Sequence, residues 1–223
     1  MKIRCSQIGK IMTSSKTKGE ALSQTTKTYI QSLVLKEKYG IRKEFSSKYT
    51  DKGNQCEDGC LGLVMDVLQT EFLYKNEENF TNDWLTGTPD VVTDKYLIDV
   101  KNSWSASTFP WFDTECPNKD YFYQLQGYMF LTNKEEAMLC YCLSNTPIDI
   151  VQDEIRREHY RLKLMEDDID IIDQVQKQHN FDHIPDNKRV KVYTIKRDNE
   201  VIEQIKAKVE LCRDYFNQLI ETI

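Results

Sequence analysis

The chain has 223 residues, of which 39% are hydrophobic and 30% charged, and this composition is typical of one folded domain with a substantial core. No apolar run reaches the roughly 18 residues of a membrane-spanning helix, and no secretory signal is recognisable, so we expect a cytoplasmic protein. The seven cysteines lack metal-ligand spacing and are expected to be reduced thiols rather than zinc or iron–sulfur ligands.

Charge is distributed unevenly along the chain. The net charge is −6, yet the first 52 residues contain twelve Lys and Arg against four acidic residues. Such a basic segment on an acidic body indicates either a local phosphate-binding face or a solvated lysine-rich surface. A third interpretation, binding of an acidic protein, stays open on charge alone.

The N-terminal part is predicted to be helical. Ser6 is expected to cap a short helix, and a second helix is expected from about 26 to 39, where Gly40 provides a C-terminal stop. Apolar residues at helical spacing predict a third helix from about 52 to 70.

Short β-rich segments separated by polar turns follow, and they predict an antiparallel meander. These segments are "TEFLYKN", "WLTGTPDVV" and "KYLIDVKN". The pattern then indicates a helix in "KDYFYQLQGYMFLTN", a strand in "AMLCYCLS", a strand in "RVKVYTIKRD" and a helix over 200–223.

This order of elements predicts an α/β (α+β) fold with a central mixed sheet flanked by helices. We expect a single domain over 1–223, with a core at about 1–148 and 189–223. The highly charged segment over 152–185 is predicted to be an appended helical insertion.

One predicted hairpin carries charged side chains. Because side chains alternate across a strand, Asp99 and Lys101 share the face opposite to an apolar face. A short turn over 93–95 is expected to bring Asp90, on the preceding strand, close to Asp99. The apolar face is formed by Tyr96, Ile98 and Val100.

Two carboxylates this close repel each other unless a cation neutralises them. Oxygen ligands suit Mg²⁺ or Mn²⁺, and one or two such ions beside a lysine could support phosphodiester hydrolysis. The alternative is a surface ion pair that stabilises the fold by less than about 1 kcal/mol.

The layout resembles the PD-(D/E)XK nuclease superfamily, whose restriction-endonuclease-like core it implies. Pro89-Asp90 and the Asp99-x-Lys101 motif match its signature. Gly53 followed by Glu57 resembles the helix that supplies an upstream metal ligand in lambda-type phage exonucleases, the YqaJ-like viral recombinase group. "YFYQLQGYMF" resembles the helix with the family's catalytic glutamine, here Gln124.

The resemblance implies roles for these residues. Glu57, Asp90 and Asp99 would hold the metal, Lys101 would activate or orient water, and Gln124 would assist. Ser6 and Thr88 match the family's terminal-phosphate region, and Arg4 would supply its basic group. The other expected DNA-binding residues are Gln126, which is the alternative to Gln124, Tyr128, which shares a helical face with Gln124, and Trp104, which follows the lysine. For Trp104 and the aromatics that follow it, stacking on bases competes with packing against the body.

The expected function is therefore a Mg²⁺-dependent 5′–3′ exonuclease that resects double-stranded DNA in phage-type recombination, in the host-cell cytoplasm if the chain is phage-encoded. The family also implies a ring-like homotrimer and a single-strand annealing partner. Two alternatives remain: a RecB-like or restriction-type endonuclease, and a non-catalytic DNA-binding module of the same fold.

Overall fold

The computed structural model describes residues 1–41, 47–70 and 73–223. Within these ranges the α-helices, α1 to α7, span Ile8–Ile11, Gln24–Tyr39, Lys48–Leu68, Lys119–Thr132, Ile148–Leu162, Ile169–His179 and Asn199–Thr222. The strands, β1 to β7, span Ile3–Arg4, Phe80–Thr81, Leu85–Gly87, Val91–Val92, Leu97–Asn102, Glu136–Cys142 and Val190–Lys196. The mixed α/β class expected from the sequence is confirmed.

The strands form two mixed sheets rather than one central sheet. The larger has the order β4-β5-β6-β7, with β5 and β6 parallel and the outer pairs antiparallel. The smaller has the order β1-β3-β2, with β1 parallel to β3. The predicted meander is wrong at Pro89, because a residue without an N–H cannot continue a strand ladder, and β3 and β4 lie in different sheets on either side of it.

The first segment of that meander also differs from the prediction. Residues 71 and 72 lie outside the described residues, and 73–79 contain no strand. The β2 strand begins instead at Phe80 and pairs with β3, where Phe80 is opposite Gly87.

Helices cover both faces of β5. Helix α3 packs Cys60 and Val64 against the face that contains Ile98, while α4, backed by α1 and α7, packs against the face that contains Leu97. Asp99 is only 1% exposed, so its pair with Lys101 is not the surface ion pair that was the alternative interpretation of the sequence. The reason is the parallel pairing of β5 with β6, because parallel strands are normally covered on both faces.

Helix ends follow local capping rules, with two corrections. Helix α2 ends at Gly40, whose φ of 68° is left-handed as predicted. Helix α3 begins at Lys48, earlier than predicted, because Ser47 and Thr50 form a capping box. Ser6 is not a helix cap, because it lies inside a 3₁₀ turn, Cys5–Gln7, that precedes α1.

Helices α5 and α6 occupy most of the segment predicted as a helical insertion, and α5 already begins at Ile148. Polar side chains of α5 contact the first half of α3. Lys48 forms an ion pair with Glu154 at 2.6 Å, and Gln55 donates a hydrogen bond to Asp149 at 3.1 Å. None of the described helices combines the length and the apolar character needed to cross a bilayer.

Candidate active site

The β4–β5 hairpin places two aspartates opposite each other. Val91 pairs with Ile98, so the same register sets Asp90 opposite Asp99. The turn is closed by a hydrogen bond from the Thr93 N–H to the Tyr96 carbonyl at 2.9 Å. The Asp90 Oδ2 accepts a hydrogen bond from the backbone N–H of Val100 at 2.7 Å, which fixes the carboxylate against β5.

Asp99 lies between a cation and an amide. The Lys101 Nζ is 2.6 Å from its Oδ2, and the Gln124 Nε2 donates to its Oδ1 at 3.1 Å. No directed hydrogen bond from another described residue reaches Oδ2. The Lys101 ammonium is also 5.0 Å from the centre of the Tyr121 ring.

The pKa values in this cluster depend on each other. Burial, followed by the negative charge of Asp99, raises the pKa of Asp90 from 3.8 to about 7, although Lys101 and the Val100 N–H oppose the shift. Burial lowers the pKa of Lys101, but Asp99 and Asp90 outweigh that effect and raise it overall. Two carboxylates thus share one lysine, and a further cation would relieve their repulsion.

Glu57 lies in the same cleft as Asp90 and Lys101, but its carboxylate pairs with Lys75. We call this space of about 340 Å³ the carboxylate cleft, and it is lined by Tyr49, Thr50, Gly53, Asn54, Glu57, Cys60, Asp90, Val100, Lys101, Asn102 and Tyr121. The Glu57 Oε2 is 3.3 Å from the Nζ of Lys75, which also lies 3.4 Å from Asp58.

As the side chains stand, no three His, Cys, Asp or Glu residues of the described chain converge as a metal-binding group. The expected set of three ligands is therefore incomplete: Asp90 and Asp99 lie together, while the Glu57 carboxylate is paired with Lys75. The hard oxygen donors and the Asp99 Oδ2, which has only an ammonium beside it, fit a divalent cation in chemical type.

Gln124 connects the aspartates to a second cleft. Its amide donates to Asp99 and also to the Tyr128 hydroxyl at 3.0 Å, one helical turn later on α4. The Tyr128 ring packs so closely on Gly87 that a Cβ there would lie 2.6 Å from the ring. Burial, with Asp99 as the next cause, raises the pKa of Tyr128, so the phenol stays neutral.

The second space, which we call the N-terminal cleft, measures about 510 Å³. It is lined by Arg4, Cys5, Ser6, Asn79, Thr86, Gly87, Thr88 and Tyr128. The structure thus brings together four of the residues that the sequence assigned to DNA or phosphate binding: Arg4, Ser6, Thr88 and Tyr128. No carboxylate among the described residues forms a salt bridge with the Arg4 guanidinium.

Asn79 and Thr86 belong to this cleft but were missed by the sequence analysis. The Asn79 amide donates to the Thr88 hydroxyl at 3.1 Å and accepts from the Thr86 hydroxyl at 2.9 Å. No motif or spacing indicated either residue, because their proximity depends on the antiparallel pairing of β2 with β3.

Two other predicted DNA-binding residues lie outside both clefts. Gln126 is fully buried, and its amide bonds the Lys196 carbonyl and the Asp198 N–H, both at 2.8 Å. The Trp104 ring packs edge-on against Tyr49 and His179 at centroid distances of 5.0 and 5.2 Å. Of the aromatics that follow Trp104, Phe109 is buried and Phe112 is 94% exposed.

Comparison with known proteins then places this site in a family. No protein-family model matches the chain, and no curated protein does either. Among solved structures, a phage-related exonuclease from Haemophilus somnus 129PT is 30% identical, with a TM-score of 0.80 over 100% of this chain and 96% of the other. The alkaline exonuclease LHK-Exo from Laribacter hongkongensis shares the fold at 16% identity, with a TM-score of 0.68 over 99% of this chain and 90% of its own.

The fold and the Asp-x-Lys hairpin define a nuclease of the PD-(D/E)XK class. With a full-length relative at 30% identity, the chain belongs to the lambda-type phage exonuclease family.

Proposed function

We propose that the protein is a divalent-metal-dependent exonuclease that hydrolyses linear double-stranded DNA, starting at the 5′ end. The observation that carries the proposal is the pairing of Asp90 and Asp99 on one hairpin, with Lys101 and Gln124 both in contact with Asp99. The activity class agrees with the phage-related exonuclease that this chain resembles over its full length.

Asp90 and Asp99 would hold one or two Mg²⁺ or Mn²⁺ ions, and Glu57 would join them after leaving Lys75. A bound divalent cation supplies Lewis-acid stabilisation of the charge that develops on the phosphodiester. Lys101, whose pKa is raised by the two aspartates, is an ammonium in the metal-free protein and can donate hydrogen bonds to an attacking water or to a phosphoryl oxygen. Gln124 holds Asp99 in place through its amide.

The N-terminal cleft would receive the terminal 5′-phosphate. Arg4 supplies a cation without a competing carboxylate, and Ser6 and Thr88 supply hydroxyl donors that suit phosphate oxygens. The Gln124–Tyr128 hydrogen bond connects this cleft to Asp99, so terminal phosphate and scissile bond would be recognised side by side. LHK-Exo has been solved in complex with dAMP, a 5′-mononucleotide of the kind such an exonuclease releases.

A labelled linear duplex tests the proposal directly. One end carries a 5′-phosphate and the other a 5′-hydroxyl, and each strand carries its own fluorophore. With Mg²⁺ we expect stepwise release of mononucleotides from the 5′-phosphorylated strand, and no release in EDTA. Cutting of a closed circular duplex would instead identify an endonuclease, and binding without hydrolysis would identify a non-catalytic module.

The family also suggests a cellular setting. We infer a homotrimer that encloses its DNA, acts in the bacterial host cytoplasm during phage recombination and passes single strands to an annealing protein. Light scattering on the full chain tests the assembly. A mass of three chains is expected, while a mass equal to one chain of 26.3 kDa would contradict a ring.

A further inference from the structure

Lys52 is a buried lysine in the second turn of α3 that the proposed chemistry does not use. Its side chain is 1% exposed, and the Nζ donates hydrogen bonds to the backbone carbonyls of Ser103 and Trp104, both at 3.0 Å. Those are the first two residues after β5, which ends at Asn102. The described residues provide no carboxylate partner for Lys52; the rings of Phe181 and Trp104 lie 5.3 and 5.8 Å from its Nζ.

Such a site is costly for a charged group. Burial lowers the pKa of Lys52 to about 8, while the thiols of Cys56 and Cys60 act in the opposite direction. A methionine of similar length would avoid the desolvation of the ammonium. What the lysine provides that a methionine would not is its two charge-assisted hydrogen bonds. These bonds are directional, whereas apolar packing is not.

The position of this link is informative. Lys52 lies on the helix that carries Glu57, and Ser103 directly follows the strand that carries Asp99 and Lys101. The apolar contacts between α3 and β5, such as Cys60 and Val64 against Ile98, resist sliding only weakly. The two carbonyl bonds are thus a directional tie between the helix side and the strand side of the carboxylate cleft.

We propose that Lys52 is a positioning residue: it holds α3 against the end of β5 and thereby sets Glu57 at the right distance from Asp90 and Asp99. The inference rests on the proposed function in so far as Glu57 is to join the aspartates in binding a divalent cation. It assigns no contact between Lys52 and DNA or cation.

The test is Mn²⁺ binding to the full-length protein, followed by electron paramagnetic resonance, in a double-mutant cycle of Lys52→Met and Glu57→Gln. We expect Lys52→Met to weaken binding roughly tenfold, and to cause no further loss in the Glu57→Gln background, because the two variants remove the same ligand. Lys52→Arg, which keeps the cation and its donors, should restore most of the affinity.

Lys48→Met is the matched control, because Lys48 lies one turn earlier on α3 and over the same Trp104 ring, but pairs with Glu154. It should bind Mn²⁺ like the wild type. Normal Mn²⁺ affinity of Lys52→Met, or multiplicative losses in the double variant, would overturn the proposal even if thermal stability falls. If Lys52→Met does not fold, Lys52→Gln, which is one bond shorter, is put through the same cycle.

Hydrogen exchange separates a failure of this inference from a failure of the proposed function. If the wild type binds no Mn²⁺, or Glu57→Gln binds it unchanged, the metal assignment is wrong, and Lys52 is judged by exchange alone. Faster exchange of the backbone amides over 53–58 and 103–105 in Lys52→Met supports the tie. Unchanged exchange in both segments refutes it.

Discussion

The carboxylate cleft and the N-terminal cleft contain polar groups of different kinds, and Gln124 is hydrogen-bonded both to Asp99 and to Tyr128 of the N-terminal cleft. The carboxylate cleft is lined by Glu57 and Asp90, and the repulsion between Asp90 and the neighbouring Asp99 is only partly offset by Lys101. The N-terminal cleft contains hydroxyl and amide groups and one guanidinium without a carboxylate partner among the described residues. The first is electrostatically prepared for a cation, and the second for an anion.

Under the proposed function, this difference would let one small fold bind the two ends of a nucleotide. A phosphate in the N-terminal cleft and a cation beside Asp99 would each offset charge that the protein groups leave unbalanced. The neutral amide of Gln124 can contact both sides without adding charge to either. Variants that remove one charge at a time should therefore affect the two clefts separately.

The largest expected effect is at Asp99. Asp99→Asn keeps an oxygen that can accept from Gln124 but removes the charge that faces Lys101. We expect at least about a hundredfold loss of Mg²⁺-dependent hydrolysis, because the variant removes a carboxylate that would hold the cation, and that cation would stabilise the charge of the transition state. The measurement is the release of mononucleotides from a 5′-phosphorylated duplex.

Asp94→Asn is the control, because Asp94 lies in the β4–β5 turn, where its backbone carbonyl accepts from Lys134 and no described residue bonds its carboxylate. It should retain wild-type activity. Equal activity of Asp99→Asn and Asp94→Asn would show that the hairpin carboxylates are structural.

Asp90 has the next largest expected effect, which is on the stability of the metal-free protein. Its pKa is about 7 when folded and 3.8 as an ordinary carboxyl, so the folded state binds more protons than the unfolded state between these values. Stability of the metal-free protein should therefore fall as the pH rises from about 4 to 7. Asp90→Asn removes this penalty and should be more stable than the wild type at pH 8, by on the order of 2 kcal/mol.

Urea unfolding in EDTA at pH 5 and pH 8 measures this difference in free energy of unfolding. The advantage of Asp90→Asn should shrink at pH 5, and Mg²⁺ at pH 8 should stabilise the wild type more than the variant. An advantage of the same size at both pH values would refute the pKa assignment.

The two clefts differ in how far the sequence could predict them. Asp90, Asp99 and Lys101 follow from strand alternation and a short turn, which are local properties. Helical spacing places Gln124 and Tyr128 on one face of a helix, while the role of Gln124 came from the resemblance to the nuclease family.

The features that escaped prediction depend on long-range pairing. Burial of Asp99 requires β6, whose residues are about 40 positions away, and the ion pair of Glu57 requires Lys75 from the loop after α3. Lys52 looked like the start of a helix, and its buried position arises only when the chain after β5 lies across α3. Asn79 reaches Thr88 only through the pairing of β2 and β3.

Arg4 tests whether the N-terminal cleft recognises a phosphate. Arg4→Met removes the cation of the N-terminal cleft, and we expect the preference for a 5′-phosphate over a 5′-hydroxyl to fall roughly tenfold, the usual size of a charge-assisted hydrogen bond. The measurement is kcat/KM on the two duplexes.

Lys2→Met is the matched control, because Lys2 precedes β1 and bonds the Thr81 hydroxyl outside the cleft. It should keep the full preference. A parallel loss on both substrates in Arg4→Met would indicate general DNA attraction rather than recognition of the terminal phosphate.

Substitution of Lys75 should give the smallest effect, a change in the Mn²⁺ affinity of the carboxylate cleft. Its ammonium lies 3.3 Å from Glu57, but the two side chains are 44% and 37% exposed, so the pair is weak. Lys75→Met frees the carboxylate, and Mn²⁺ affinity should rise about two- to threefold, since an exposed ion pair contributes less than about 1 kcal/mol. Lys95→Met, an exposed lysine of the β4–β5 turn, should not change Mn²⁺ affinity. A fall in affinity in Lys75→Met would mean that Lys75 holds Glu57 ready for the cation rather than competing with it.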